Sequence, residues 1–149
     1  MSYQLQKWHD RLLSLHRFER ITQFEKGGVD GVFSGKVTVK SSQQGYLLQE
    51  EGVWQDKNIT VFNCYRIQLL TDTIVLAHLR QGEDQPVLLC EFSVDGENLI
   101  PKDHHRCGED NYYAQMQWKN GCLELIWNVV GPNKQGAIIT HYFSAISKT

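Results

Sequence analysis

No run in this chain approaches the ~18 consecutive apolar residues that a membrane-spanning helix needs, so no such helix is expected. Charge of one sign is also missing. Fifteen Lys and Arg stand among seventeen Asp and Glu, for a net charge of −2. That balance leaves no electrostatic footprint for a phosphate backbone, and nucleic acid is not an expected partner. The N-terminus has no charged n-region followed by an apolar h-region, which makes the cytoplasm the expected location. Cysteine is sparse and widely spaced: Cys64, Cys90, Cys107 and Cys122 form no C-x-x-C pair and are expected to be free thiols. Neither an H-E-x-x-H metal pair nor a G-x-S-x-G nucleophile elbow occurs. The phosphate loop G-x-x-x-x-G-K-[S/T] is absent too, so Gly131-Pro132-Asn133 reads as a turn. Without repeats, low-complexity tracts or linkers, residues 1–149 are expected to form one domain. A chain of this length buries roughly 68–70% of its unfolded surface and needs no metal or disulfide to fold.

What is present is strand pattern. Leu5, Trp8, Leu12 and Leu15 recur at helical intervals, which predicts one amphipathic helix near the N-terminus. From His16 onward the periodicity changes to two. Strands are predicted up to about Glu25, then over 32–40, 46–54, 60–70, 73–80 and 87–94, separated by Gly27-Gly28, residues 41–45, Gln55 to Asn58, Thr71-Asp72 and Gln81 to Asp84. Tyr112, Ala114, Met116 and Trp118 alternate with mostly polar residues, as a half-buried strand requires. Asn120-Gly121 then supplies the strongest short hairpin signal, and Leu123, Leu125, Trp127 and Val129 share one side of the next strand. Ala137 to Ile146 is predicted as the last. Connectors this short imply antiparallel neighbours, because a parallel pair needs a crossover of a dozen or more residues. The expected fold is all-β: an antiparallel up-and-down barrel of about 8–10 strands with a short N-terminal helix, with a sandwich as the alternative.

Several motifs in order resemble a family catalogued as domain of unknown function 6314, with a calycin-like fold. His105, Cys107, Asp110 and Tyr112 fit H-x-C-x-x-D-x-Y, and Trp127, Val129, Gly131, Pro132 and Lys134 fit W-x-V-x-G-P-x-K. Arg20-Ile21, Gly31 to Gly35, Glu50 to Gly52 and Tyr65 match shorter elements. The chain resembles a distant member, with Leu48, Asn63, Ile67, Asn133, Gln135 and Gly136 departing from the pattern. The resemblance implies a calycin or lipocalin-like barrel and names no chemistry.

Candidate functional residues are therefore read from their chemistry. Arg20, Glu50, Tyr65, His105, Cys107, Asp110, Tyr112 and Trp127 come from several strands, and Lys134 follows the last of these; a barrel gathers inward-facing residues into one cavity. Together with Trp118 they are the expected ligand-binding set for a small, partly apolar, anionic molecule, with Arg20, His105 and Lys134 as polar anchors. Arg20 paired with Glu50 or Asp110 is equally a structural lock on the barrel. As an alternative, His105, Cys107, Asp110 and Tyr112 carry the residue types of an acid–base or thiol enzyme, such as a hydratase or isomerase. Their spacing within one strand is unlike a known hydrolase site. His104, His105, Cys107 and His141 have donors for zinc or iron, and one barrel histidine suffices for haem, but no ligand spacing calls for a cofactor. A third reading is an interaction domain with a filled barrel. The expected partner is a small molecule, with neither nucleic acid nor membrane; the oligomeric state is left open.

Overall fold

The computed structural model describes residues 3–145. One helix, α1 (Tyr3–Leu13), precedes eleven strands: β1 (Leu15–Lys26), β2 (Gly31–Ser42), β3 (Gly45–Trp54), β4 (Ile59–Leu69), β5 (Thr73–His78), β6 (Val87–Asp95), β7 (Asn98–Pro101), β8 (His105–Cys107), β9 (Asp110–Lys119), β10 (Cys122–Val130) and β11 (Gln135–Ser144). All pairings are antiparallel and join successive strands, except that β7 pairs with β9 rather than with β8 and that β11 pairs with β1. Pairing of β9 with β10 and of β11 with β1 closes ten strands into a barrel, with β8 as a short extra strand on β9. The seam is uneven. β9 meets β10 over nine residue pairs but touches β7 only at Asn98↔Gln117 and Leu99↔Met116.

Local chemistry accounts for most of these boundaries. Asn120 (φ 56°) and Gly121 (φ 71°) both adopt the left-handed conformation of the two-residue turn that their sequence predicts. The helix stops at Leu13, short of the expected Leu15, because the Ser14 amide and hydroxyl both donate to the Arg11 carbonyl and Leu15 is already the first buried residue of β1. The predicted loop at 41–45 shrinks to Gln43-Gln44, and the strand predicted over 73–80 ends at His78. β11 runs to Ser144; Ile146, the predicted end of that strand, lies outside the described residues. β7 was not expected at all.

The barrel is filled at one end. Phe18, Leu48, Ile67, Ile74, Phe92, Leu99, Met116, Trp118 and Leu123 pack there, and Trp8 and Leu12 of α1 join them. Trp8 meets Trp118 edge-on with ring centroids 6.4 Å apart. Arg11 lies over both rings, at 5.0 and 4.9 Å, and pairs with Glu97 in the β6–β7 turn. Cation–π contact and ion pair thus hold the charged member of the helix's buried face. Lys7 reaches Glu97 as well, at 2.8 Å, and His9 hydrogen-bonds the Tyr46 hydroxyl. The helix is a plug in the base of the barrel. Trp118→Ala removes the ring against which both Trp8 and Arg11 rest, and should cost about 3–5 kcal/mol in urea unfolding. A loss below about 1 kcal/mol, the scale of a surface change, would contradict this placement.

Candidate functional site

Because strand side chains alternate, each inward row runs from the plugged base to the open mouth. On β1 the inward sequence is Phe18, Arg20, Thr22; on β3 it is Leu48, Glu50, Gly52; on β11 it is Tyr142, Thr140, Ile138. Arg20, Glu50 and Thr140 therefore sit halfway up, above the apolar base. There Arg20 grips Glu50 with both terminal nitrogens, Nη1 to Oε1 at 2.9 Å and Nη2 to Oε2 at 2.6 Å, while Nε donates to the Thr140 hydroxyl at 2.8 Å. Asn63 donates to Glu50 Oε1 at 3.0 Å, and the Tyr142 hydroxyl donates to Oε2 at 2.6 Å. Four donors fill the acceptor positions of one carboxylate. The Glu50 side chain is fully buried, so this saturation is what makes its burial tolerable.

Burial works against the Arg20 charge, but Tyr142 and Glu50 outweigh it and raise the guanidinium above its ordinary value. Burial and then the Glu50 charge push Tyr65 up to about 12 and Tyr142 well above its usual range. Both tyrosines stay protonated and serve as neutral hydroxyls.

Above this floor the barrel is hollow. A cavity of about 530 Å³ opens at the mouth, with a predominantly apolar wall that includes Phe33, Tyr65, Leu89, Leu125, Trp127 and Ile138. Its polar groups come from Arg20, Thr22, Asn63, Tyr65, His78, Arg80, His105, Cys107, Tyr112, Thr140 and Tyr142, and among the described residues no carboxylate lines it. Aromatic contacts stiffen the wall: Tyr112 meets Trp127 at 6.3 Å, His105 meets Tyr112 at 6.0 Å, and Tyr65 meets His78 at 4.9 Å.

Of the two histidines, His78 is tied to backbone. His78 Nδ1 accepts the Arg80 amide at 2.9 Å, which leaves Nε2 carrying the proton of the neutral ring. Burial first and the Arg80 charge next lower the His78 pKa; burial and then Arg80 lower that of His105. Both are neutral at pH 7. Such an arrangement offers a wall of hydroxyls and neutral imidazoles, suited to hydrogen bonding with an uncharged group or to proton transfer.

Of the residues singled out in the sequence, Arg20, Tyr65, His105, Cys107, Tyr112 and Trp127 line the cavity, and Glu50 lies directly behind Arg20. The structure does not bring three others there. Trp118 faces inward like Tyr112 but lies at the base beneath α1. Asp110 is buried at the β10–β11 turn, where Oδ1 accepts the Asn133 and Lys134 amides at 3.0 and 3.1 Å. Gly131 packs so close that a Cβ there would collide with the Asp110 carboxylate. Asp110 therefore neither orients His105 nor pairs with Arg20. Lys134 is held by its backbone in the same turn and does not line the cavity.

The proposed metal donors are likewise dispersed: His104 stacks on Tyr113, and His141 pairs with Glu124 at 2.9 Å. Among the described residues no three His, Cys, Asp or Glu are grouped to hold a metal. All four cysteines are free. The residues that sequence reasoning missed are chiefly His78, Arg80, Asn63 and Tyr142. Alternation along 73–80 places His78 and Arg80 on the face of Ile74 and Leu76, and that was the available signal.

An up-and-down barrel, plugged by a helix at one end and hollow at the other, is the class of protein that this geometry defines. Residues 12–144 match the sequence profile of a family of unknown function, DUF6314, and the chain belongs to that family. The match spans every strand of the barrel. No curated protein and no solved structure matches the chain.

Two outcomes follow from these contacts. Asp110→Ala, which frees two turn amides, should cost about 1–3 kcal/mol in urea unfolding. Asp110→Asn keeps an acceptor oxygen and should cost less. Equal losses in the two variants would contradict the turn-capping role. The depressed histidines set a pH window. Their unfolded value is near 6.5, so below about pH 7 the unfolded chain takes up protons that the barrel resists, and stability falls as pH drops through that value. The urea midpoint should therefore decline from pH 7 to about pH 5.5, and less steeply in His78→Gln/His105→Gln. An unchanged slope in the double variant would refute the assignment.

Proposed function

We propose that this protein is a binding barrel that holds a small, mostly apolar molecule in the mouth cavity, against Trp127, Tyr112, Phe33 and Ile138. The observation that carries this reading is the split interior. The base is packed and plugged, whereas about 530 Å³ above the Arg20–Glu50 floor is open, apolar-walled space with a few fixed polar groups, which is the form of a small-molecule site. Tyr65, Tyr112 and two neutral histidines supply the hydrogen-bonding groups that orient such a ligand. The calycin-like resemblance supports the same reading. Four free thiols agree with a reducing compartment such as the cytoplasm.

Arg20 is already paired with Glu50 at 2.6 Å, which favours its reading as a structural lock over that of an anionic anchor. It belongs to the floor. An acid–base enzyme built on His105, Cys107, Asp110 and Tyr112 is less well supported, because Asp110 is committed to a turn.

The test pairs stability with binding. Trp127 is only partly buried and borders open space, so Trp127→Ala should cost clearly less than the roughly 3–5 kcal/mol of a packed core tryptophan. N-phenyl-1-naphthylamine, a neutral apolar fluorophore, should bind wild type and lose about tenfold in affinity in Trp127→Ala, the equivalent of 1.4 kcal/mol. No probe bound by wild type, together with a full core-sized stability loss, would refute the cavity reading and leave a filled structural barrel.

A further inference from the structure

We propose that the ligand is an amphiphile with a carboxylate head, bound with that head at the mouth against Arg80 and its apolar part directed down toward the floor. This rests on the binding reading above and adds the ligand's class and orientation.

The argument is one of charge accounting. Among the described residues two permanent cations line the cavity, Arg20 and Arg80, and no carboxylate does. Glu50, bonded to both terminal nitrogens of Arg20, cancels the first from behind the wall. Arg80 has no such partner: among the described residues no ion pair or side-chain hydrogen bond engages its guanidinium, although Glu83 and Asp84 follow in the same loop. The cavity is thus a mostly apolar space with one uncompensated positive charge, and that charge is at its rim. A ligand completing the site supplies one negative charge at the mouth and hydrocarbon beneath it.

The position of Arg80 is fixed by backbone. Its amide donates to His78 Nδ1 at 2.9 Å, and the preceding Leu79, itself buried, donates from its amide to the Cys64 carbonyl at 2.9 Å. Gly82 in turn donates to the Leu79 carbonyl at 2.9 Å and folds the chain back over. The side chain therefore leaves a tethered turn at the cavity rim. Its field also bears on His78 and His105, lowering the proton affinity of both, so the same charge acts across the mouth. The guanidinium fork matches a carboxylate in two parallel hydrogen bonds.

The test is competition by decanoate, decanol and decylamine for bound N-phenyl-1-naphthylamine. Decanoate should bind wild type about fivefold tighter than decanol, the upper range for an exposed ion pair. Decylamine should be the weakest, and the preference should shrink with added salt. Arg80→Gln should bring decanoate down to decanol, and Arg80→Glu should invert the order in favour of the amine. Equal binding of decanoate and decanol by wild type overturns the head-group proposal while leaving the cavity reading intact. A preference that survives Arg80→Gln overturns it too, and transfers the head to Arg20. Failure of all three to displace the probe overturns the proposal as well. If the probe itself does not bind, the cavity reading fails with it.

Discussion

Everything above and below depends on one buried ion pair. A carboxylate taken out of water halfway along a barrel costs several kcal/mol unless each of its lone pairs is met. Glu50 is met by Arg20 twice, by Asn63 and by Tyr142, groups drawn from β1, β4 and β11 onto a residue of β3. Four strands are thereby held in one register at one height. The same saturation makes the pair chemically quiet: a floor rather than a reactive centre.

From that floor the interior divides. Below it, large apolar side chains interdigitate and α1 closes the end, with Arg11 held between Trp8 and Trp118 and anchored on Glu97. Above it, the wall is still largely apolar but encloses open space, and His78 is tied to backbone. His78 accepts from the Arg80 amide, and His105 packs edge-on against Tyr112. A preorganised wall of this sort lowers the ordering cost of holding a ligand. Among the described residues that line the cavity, Arg80 is a cation with no ion-pair partner.

Much of the fold was legible because it is written in alternation and turn chemistry. Asn120-Gly121 fixed a hairpin, Gly27-Gly28 ended β1, and short connectors implied an antiparallel meander. β7 escaped because it is four residues long, ends in Pro101 and pairs with β9 at two positions. The site was legible by face but not by depth. Tyr112 and Trp118 share one face, yet six residues at about 3.3 Å each separate them by roughly 20 Å, which puts one ring at the mouth and the other under the helix. Asp110 shares that face as well, and only the turn of Asn133 and Lys134 folding over it shows that its oxygen is taken. Asn63, read as a departure from the family pattern, is a donor to Glu50.

The most direct measurement is the coupling energy between Arg20 and Glu50 in a double-mutant cycle of Arg20→Met and Glu50→Leu, read by urea unfolding. Each single change strands a buried partner and should cost about 3–5 kcal/mol. The double variant strands no charge, so its cost should fall short of the sum by at least about 2 kcal/mol, well beyond the scatter of independent sites. Additivity within about 0.5 kcal/mol would mean that the two residues do not form the floor described.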